Sequence, residues 1–334
     1  MKKKTLIYGG GAIGSFIASC LIKSGHKIFF LCRNENYKII KKNGLKISIY
    51  DNDKLIKKHQ INVNNKFIII NSLKKIHSIK FDNIFITTKL TENLKKIFID
   101  IEKNINDKTL IITPCTAIPF WWFQCLKHRI QKKFKSTLDP IYLKNLKRKN
   151  LVGMTMWLSG KIEEPGVVKI SHIQRGLPIK EVFPDKIKTV NELRKDILKN
   201  CISPKVPNIF SEIFIKSLNS LAFNLIALKY KQNNFELDKN LKAKKEILKI
   251  QKEGDKLLKT NGIKIYQSAE SRIKQTLKSK NHTMSMLYAY QNNKKIELKD
   301  LWSSFENLIK KNDIEMNFTR NTFSTIKKKH HELV

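Results

Sequence analysis

Arginine, acidic residues and cysteine are all scarce in this chain. Its 334 residues carry 28 Asp and Glu against 66 Lys and Arg, for a net charge of +38, yet only seven of the basic residues are arginine. Charge of that size alone points to nucleic acid or an anionic surface. The arginine shortage argues otherwise, because guanidinium groups make the bidentate and stacking contacts of a nucleic-acid reader, and here lysine rises with isoleucine and asparagine along the whole chain as compositional drift. No specific nucleic-acid partner is expected. The five cysteines (Cys20, Cys32, Cys115, Cys125, Cys201) are odd in number, with no C-x-x-C pair and no histidine at zinc-ligand spacing. That excludes a disulfide scaffold, points away from a metal site, and suggests reduced thiols in a cytoplasm. No apolar run approaches the roughly 20 residues that span a bilayer, and no tandem repeat emerges, so no membrane partner is expected. What is present is 41% hydrophobic residues, enough for a packed core, over a length that suits two domains.

The first twenty residues admit two readings. Met1-Lys2-Lys3-Lys4 and an apolar run ending at Cys20 could form a lipoprotein signal. As structure, Thr5–Tyr8 is a short buried strand, Gly9-Gly10-Gly11-Ala12-Ile13-Gly14 fits G-x-G-x-x-G, Ser15–Lys23 is helical, Gly25 turns the chain, and Lys27–Arg33 is a second strand. Strand, glycines, helix and strand within about thirty residues make a βαβ start, whose helix N-terminus would receive the phosphates of a dinucleotide. The structural reading is favoured, since a cleaved signal would remove the central strand.

The end of the second strand selects the cofactor. NAD proteins usually place Asp or Glu there for the ribose 2′-hydroxyl, whereas an arginine accommodates the 2′-phosphate of NADP. Here the residues are Cys32-Arg33-Asn34, so NADP(H) is expected, with Arg33 on the phosphate. A solvated surface arginine is the competing reading.

Further strands are expected at Leu45–Tyr50, Phe67–Asn71, Asn83–Lys89 and Leu110–Thr113, and a hairpin around Glu163-Glu164-Pro165-Gly166, with helical stretches such as Asn93–Lys103 between them. Pro204 and Pro207 break the pattern, and beyond them the periodicity is helical at Ile209–Lys229, Asp238–Asn261, Leu298–Lys311 and Phe323–Lys329. The expected fold is an α/β Rossmann-like domain with a parallel-rich sheet over residues 1–203, followed by an all-α substrate and catalytic domain over 204–334.

The first helix of the second domain is the most informative. Lys216, Ser220 and Asn224 fall on one face at i, i+4, i+8, with Asn219 at its border, while the rest of the surface is Leu, Ile, Ala and Phe. A buried polar stripe needs partners or a ligand, and a desolvated lysine has a lowered pKa suited to proton exchange. A snorkelling Lys216 with Asn224 bonded to backbone is the alternative. Ser285, twelve residues ahead of Glu297, reads by itself as a helix cap, and Glu297 as a solvated first-turn acid.

Taken together, the glycine loop, Arg33, Thr88-Lys89, Ile118-Pro119-Phe120-Trp121-Trp122-Phe123, Glu164-Pro165-Gly166-Val167-Val168, Lys216 to Asn224, Ser285-Met286-Leu287 and Glu297 resemble the ketopantoate reductase family in order and spacing. The resemblance runs from Leu6 to about Leu308. It implies hydride transfer from NADPH to the C2 ketone of a 2-oxo acid, 2-dehydropantoate in pantothenate biosynthesis; the sequence leaves monomer or homodimer open. Carried over by position, Lys216 is the general acid and Glu297 holds it or the substrate hydroxyl. Ser285 binds the carboxylate, Asn224 orients substrate, and Gly9, Gly10, Gly11, Ala12, Ile13, Gly14, Arg33 and Lys89 hold cofactor. Four positions depart from the family: Thr116-Ala117 replaces Asn-Gly, Ser220 replaces an asparagine for which Asn219 could partly substitute, and Ala289 replaces an acid. The departures leave open a different 2-oxo acid, with Trp121 and Trp122 either lining a larger pocket or packing in the core, or an NADP-binding sensor with weakened chemistry.

Overall fold

The computed structural model describes residues 2–51, 54–88, 94–114, 116–119, 121–122, 150–312 and 314–330. Its contacts divide the chain into two units: Met1–Cys115 with Thr137–Ile209, and Thr116–Ser136 with Phe210–Val334. The first unit runs on to Ile209, and the segment from Thr116 lies with the second unit.

In the first unit, β1 (Lys4–Tyr8), α1 (Ala12–Lys23), β2 (Lys27–Leu31) and α2 (Asn34–Asn43) follow the expected order. Then come β3 (Leu45–Asp51), β4 (Lys54–Ile61), β5 (Phe67–Ile70), β6 (Asn83–Ile86), α3 (Leu94–Ile101), β7 (Leu110–Pro114), β8 (Leu151–Met154), β9 (Trp157–Glu164), β10 (Val167–Gly176), β11 (Ile179–Glu181) and α4 (Ile187–Leu198). Seven strands form a sheet in the order β11-β8-β7-β6-β1-β2-β5, all parallel except β11, which runs antiparallel to β8. The parallel strands are predominantly apolar (Leu6, Ile7, Ile28, Phe30, Ile84, Phe85, Ile111 and Ile112 are buried), as a sheet covered on both faces requires.

The strands outside this parallel sheet form a second sheet of four. Its order is β4-β3-β10-β9, so Leu45–Asp51 pairs in parallel with Val167–Gly176, and the expected hairpin belongs here. Ile47, Ile49, Val168 and Ile170 join Phe16, Ile17, Cys20 and Leu21 of α1 in one core, so α1 is buried between two sheets.

The second unit is helical among its described residues: α5 (Ile209–Tyr230, whose first residue closes the first unit), α6 (Asn234–Lys239), α7 (Leu241–Thr260), α8 (Ala269–Leu277), α9 (Ser285–Gln291), α10 (Leu298–Asn312) and α11 (Asn317–Lys329). The helix expected over Asp238–Asn261 breaks at Asn240, whose side chain caps α7 by accepting the Ala243 N–H. The expectation that no apolar run is long enough to span a membrane is corrected. Helix α5 passes that test by length and composition, although 83% of its apolar window is buried in the protein.

Candidate active site

The first constellation lies at the C-terminal ends of β1 and β6. The chain winds from β1 outward through β2 to β5 and then returns to β6 on the other side, so the crevice between β1 and β6 is the switch point at which α/β sheets bind ligands. A cavity of about 560 Å³ opens there, lined by Gly9–Gly11, the end of β2 with Arg33, and Thr87 and Thr88 after β6.

The glycines have distinct reasons. Gly9 takes φ +125°, and Thr87 Oγ1 donates to its carbonyl at 2.9 Å. A Cβ on Gly14 would lie 2.2 Å from that same carbonyl oxygen, so the helix can approach the strand only with glycine there. Gly10 is held by the protein itself, since its Cβ would meet that of Cys32 at 2.3 Å. Gly11, the N-cap of α1, is different: a Cβ there meets nothing within 4 Å. The first-turn N–H groups of Ala12, Ile13 and Gly14 precede the intrahelical ladder, which starts with Ser15 N donating to Gly11 O at 3.0 Å.

These residues fit a dinucleotide. The open space lies against Gly11, the helix N-terminus suits a pyrophosphate, and Thr88 Oγ1 is buried in the lining with no hydrogen-bond partner among the described residues. Arg33 is exposed at the end of β2, where a 2′-phosphate would be met. Lys89 lies outside the described residues. Sequence reasoning missed three neighbours: Tyr8, whose hydroxyl donates to Asp100 Oδ2 at 2.8 Å, Asp100 itself, and Lys96, which lines the cavity. Among the described residues no three metal-ligating side chains gather.

The second constellation is on α5. Lys216 is half-buried, and its pKa is pushed down to about 8 by burial, against an opposing pull from Glu212 one turn earlier. Glu212 was legible in principle, since 212, 216, 220 and 224 share one spacing of four. Asn224 is buried and spans two elements: Nδ2 donates to the Ser220 carbonyl at 2.7 Å, and Oδ1 accepts the Met286 N–H at 3.0 Å. Ser285 is the exposed first residue of α9, carried into place by that bond. Ser217 Oγ donates to the Thr116 carbonyl at 2.6 Å, so the Thr116 segment is tied to the lysine helix while the Thr116 side chain is exposed. Glu297 is exposed just ahead of α10, its carbonyl accepting the Leu301 N–H at 3.1 Å.

The structure decides two readings the sequence left open. Asn219 does not stand in for Ser220: it is buried on another side of α5, where Nδ2 donates to Thr276 Oγ1 at 3.0 Å and Oδ1 accepts from Gln251 Nε2 at 2.9 Å. Gln251 in turn accepts from Arg272 Nε, so this amide belongs to an internal polar network. Trp121 and Trp122 do not line a pocket. Both are fully buried, packed against Phe210 and, for Trp122, Phe214, with Trp122 Nε1 donating to the Phe210 carbonyl at 2.9 Å.

A strand, glycine loop and helix at the switch point of a parallel sheet define a dinucleotide-binding protein of the Rossmann class. Residues 5–114 match the family model for ketopantoate reductase PanE/ApbA. Among solved structures it is similar to a 2-dehydropantoate 2-reductase from Geobacter metallireducens GS-15 at TM-score 0.77 and 15% identity, over 98% of this chain and 99% of that one. A D-mandelate dehydrogenase in a ternary structure with NADH and anilino(oxo)acetate matches at TM-score 0.75 and 19% identity, over 99% of each chain. A 2-dehydropantoate 2-reductase from Methylococcus capsulatus matches at TM-score 0.71 and 15% identity, over 99% of this chain and 97% of that one. No curated protein matches the sequence.

Proposed function

We propose that this protein is a cytoplasmic NADPH-dependent reductase of a 2-oxo acid, with 2-dehydropantoate as its first candidate substrate and pantoate as product. The observation that carries the reading is Lys216, a half-buried lysine whose pKa is pushed down to about 8.

The cofactor, when bound, supplies the hydride that reduces the C2 carbonyl. The first unit carries the residues that would hold it: the α1 N-terminus for the pyrophosphate, Thr88 beside it, and Arg33 for the 2′-phosphate. As the C2–H bond forms, the carbonyl π electrons pass to oxygen, and the alkoxide needs a proton. Lys216 is the donor: its ammonium stabilises the developing charge and then transfers the proton, leaving a neutral amine that solvent recharges. Burial makes that proton easier to give, because it disfavours the ammonium in the resting enzyme. Ser285 binds the substrate carboxylate, with Asn224 setting its position through α9. Thr116, Ser220 and Glu297 complete the substrate contacts.

A second reading keeps this chemistry and changes the acyl substituent. It is favoured by Thr116 and Ser220, which put hydroxyls where the resemblance expects amides, and by Ala289, which removes an expected acid. The test is NADPH oxidation by the purified protein on 2-dehydropantoate and a panel of other 2-oxo acids, beside a binding titration of NADPH and NADH. Turnover on 2-dehydropantoate supports the first reading, and turnover only on another 2-oxo acid selects the second. Tight NADPH binding without turnover on any would refute both.

A further inference from the structure

The cofactor cavity contains a short relay that the expected role of Arg33 does not include. Tyr8 is 4% exposed at the end of β1, and its hydroxyl donates to Asp100 Oδ2 at 2.8 Å. With its proton committed to the carboxylate, the phenol oxygen offers only lone pairs on its other side. Arg33 Nη2 stands there, 3.5 Å away, as a donor. The guanidinium thus approaches the carboxylate through the phenol rather than in a direct ion pair. Residues from the ends of β1, β2 and α3, distant in sequence, converge on one corner of the cavity. Lys96, one turn before Asp100 on α3, lines the same cavity with a second cation.

We propose that Tyr8 and Asp100 are positioning residues that set the preference for the 2′-phosphorylated cofactor, by presenting Arg33 to the phosphate, and that Lys96 is the second cation of that site. The inference rests on the NADPH reading of the preceding section. An exposed arginine is rotamer-rich, and ordering it on binding costs affinity, so a tether on one guanidinium nitrogen lowers the cost while leaving the other N–H groups for the ligand. The phenol also separates Arg33 from Asp100. A direct pair would neutralise the guanidinium and commit the fork that a phosphate uses. The three residues therefore act together: Asp100 orients the hydroxyl, the hydroxyl holds the guanidinium, and the guanidinium and Lys96 meet the phosphate.

The probes are NADPH against NADH, and adenosine 2′,5′-bisphosphate against 5′-AMP, titrated into the full-length protein and its variants. Binding is read by fluorescence, independently of turnover. The wild-type chain is expected to prefer the 2′-phosphorylated member of each pair. Tyr8→Phe should reduce that preference roughly tenfold, through weaker NADPH binding with little change for NADH. Lys96→Ala should reduce it by a comparable factor. Asp100→Ala should match Tyr8→Phe, whereas Asp100→Asn, which still offers a carbonyl oxygen to the phenol, should keep most of the preference. That rescue separates positioning from mere packing and also serves if Tyr8→Phe folds poorly.

Arg33→Ala separates the two possible failures. A wild type with no preference, or an Arg33→Ala variant that retains it, overturns the NADPH reading and this inference with it. If Arg33→Ala abolishes the preference while Tyr8→Phe and both Asp100 variants keep the wild-type ratio, the relay is refuted and the NADPH reading stands. A full preference in Lys96→Ala refutes the second cation.

Discussion

Asn224 Oδ1 accepts the backbone N–H of Met286 at 3.0 Å, joining the lysine helix to the first turn of α9. The bond is buried, and it spans 62 positions of sequence. The amide, to which the resemblance gives a role in orienting substrate and for which bonding to backbone was the alternative, bonds backbone groups on both sides and so ties α5 to the start of α9, next to Ser285. Asn224→Ala leaves the Met286 N–H without its acceptor and should cost about 1–3 kcal/mol in urea unfolding. It should also raise KM for the 2-oxo acid, because Ser285 is no longer held. A variant with unchanged stability would show that the clamp carries no weight.

Lys216 should titrate in the pH profile. In the proposed reaction Lys216 acts as its ammonium, so kcat should be flat below pH 8 and fall above it, following the pKa of about 8 that burial imposes. Lys216→Ala should lower kcat by roughly 10²–10⁴ while leaving the NADPH titration unchanged. The same shift has a stability sign. The unfolded chain holds this proton up to the ordinary lysine value of 10.5, while the folded chain releases it near 8. Between those values the unfolded state binds more protons, so stability rises with pH across that window relative to a Lys216→Met variant.

Gly11 and Gly14 should separate folding from binding. Gly14→Ala drives a methyl to 2.2 Å from the Gly9 carbonyl oxygen and should lower the Tm together with cofactor affinity. Gly11→Ala meets no atom of the protein and keeps an allowed backbone at φ −79°. It should fold with unchanged Tm and yet weaken NADPH binding by roughly tenfold or more, because the methyl occupies the space expected for the pyrophosphate.

His59 should contribute to acid unfolding. It is buried on β4, with Nδ1 3.4 Å from Ser19 Oγ, and its pKa is pushed down to about 4 by burial and by Lys23 and Lys57. The unfolded chain protonates this histidine near pH 6.5, the folded chain only near 4. Its contribution is complete above pH 6.5 and lost as pH falls to about 4, on the order of 2–3 kcal/mol. His59→Gln should flatten that limb of the stability curve. An identical acid limb in wild type and variant would contradict the assignment.

The sequence by itself determined the parts built from neighbours in the chain. The β1–glycine–α1–β2 unit is contiguous, each element carries its own periodicity, and steric demands at Gly9 and Gly14 act across a single turn. The stripe of Lys216, Ser220 and Asn224 was legible for the same reason, since helical spacing places those positions together before any packing is known. Strand β4 was not legible. Its residues Lys54–Lys58 are all exposed, Leu55 and Ile56 among three lysines, so no alternation of buried and exposed positions marks them, and pairing with β3 makes the segment a strand.

Tertiary structure alone decided what depends on contacts across long separations. Residues 45–51 read as a strand, but only pairing with Val167–Ile170 assigned them to a second sheet. Asn219 and Ser220 are adjacent in sequence, yet the 100° step of a helix sends one into an internal network with Gln251 and Thr276 and leaves the other on the lysine face. Tyr8 and Asp100 lie 92 positions apart and meet because the chain reverses its winding at β1 and places α3 over that crevice. Local sterics and periodicity act over a few residues and are written in the order of the chain, whereas hydrogen-bond partners are chosen by packing after the elements have formed.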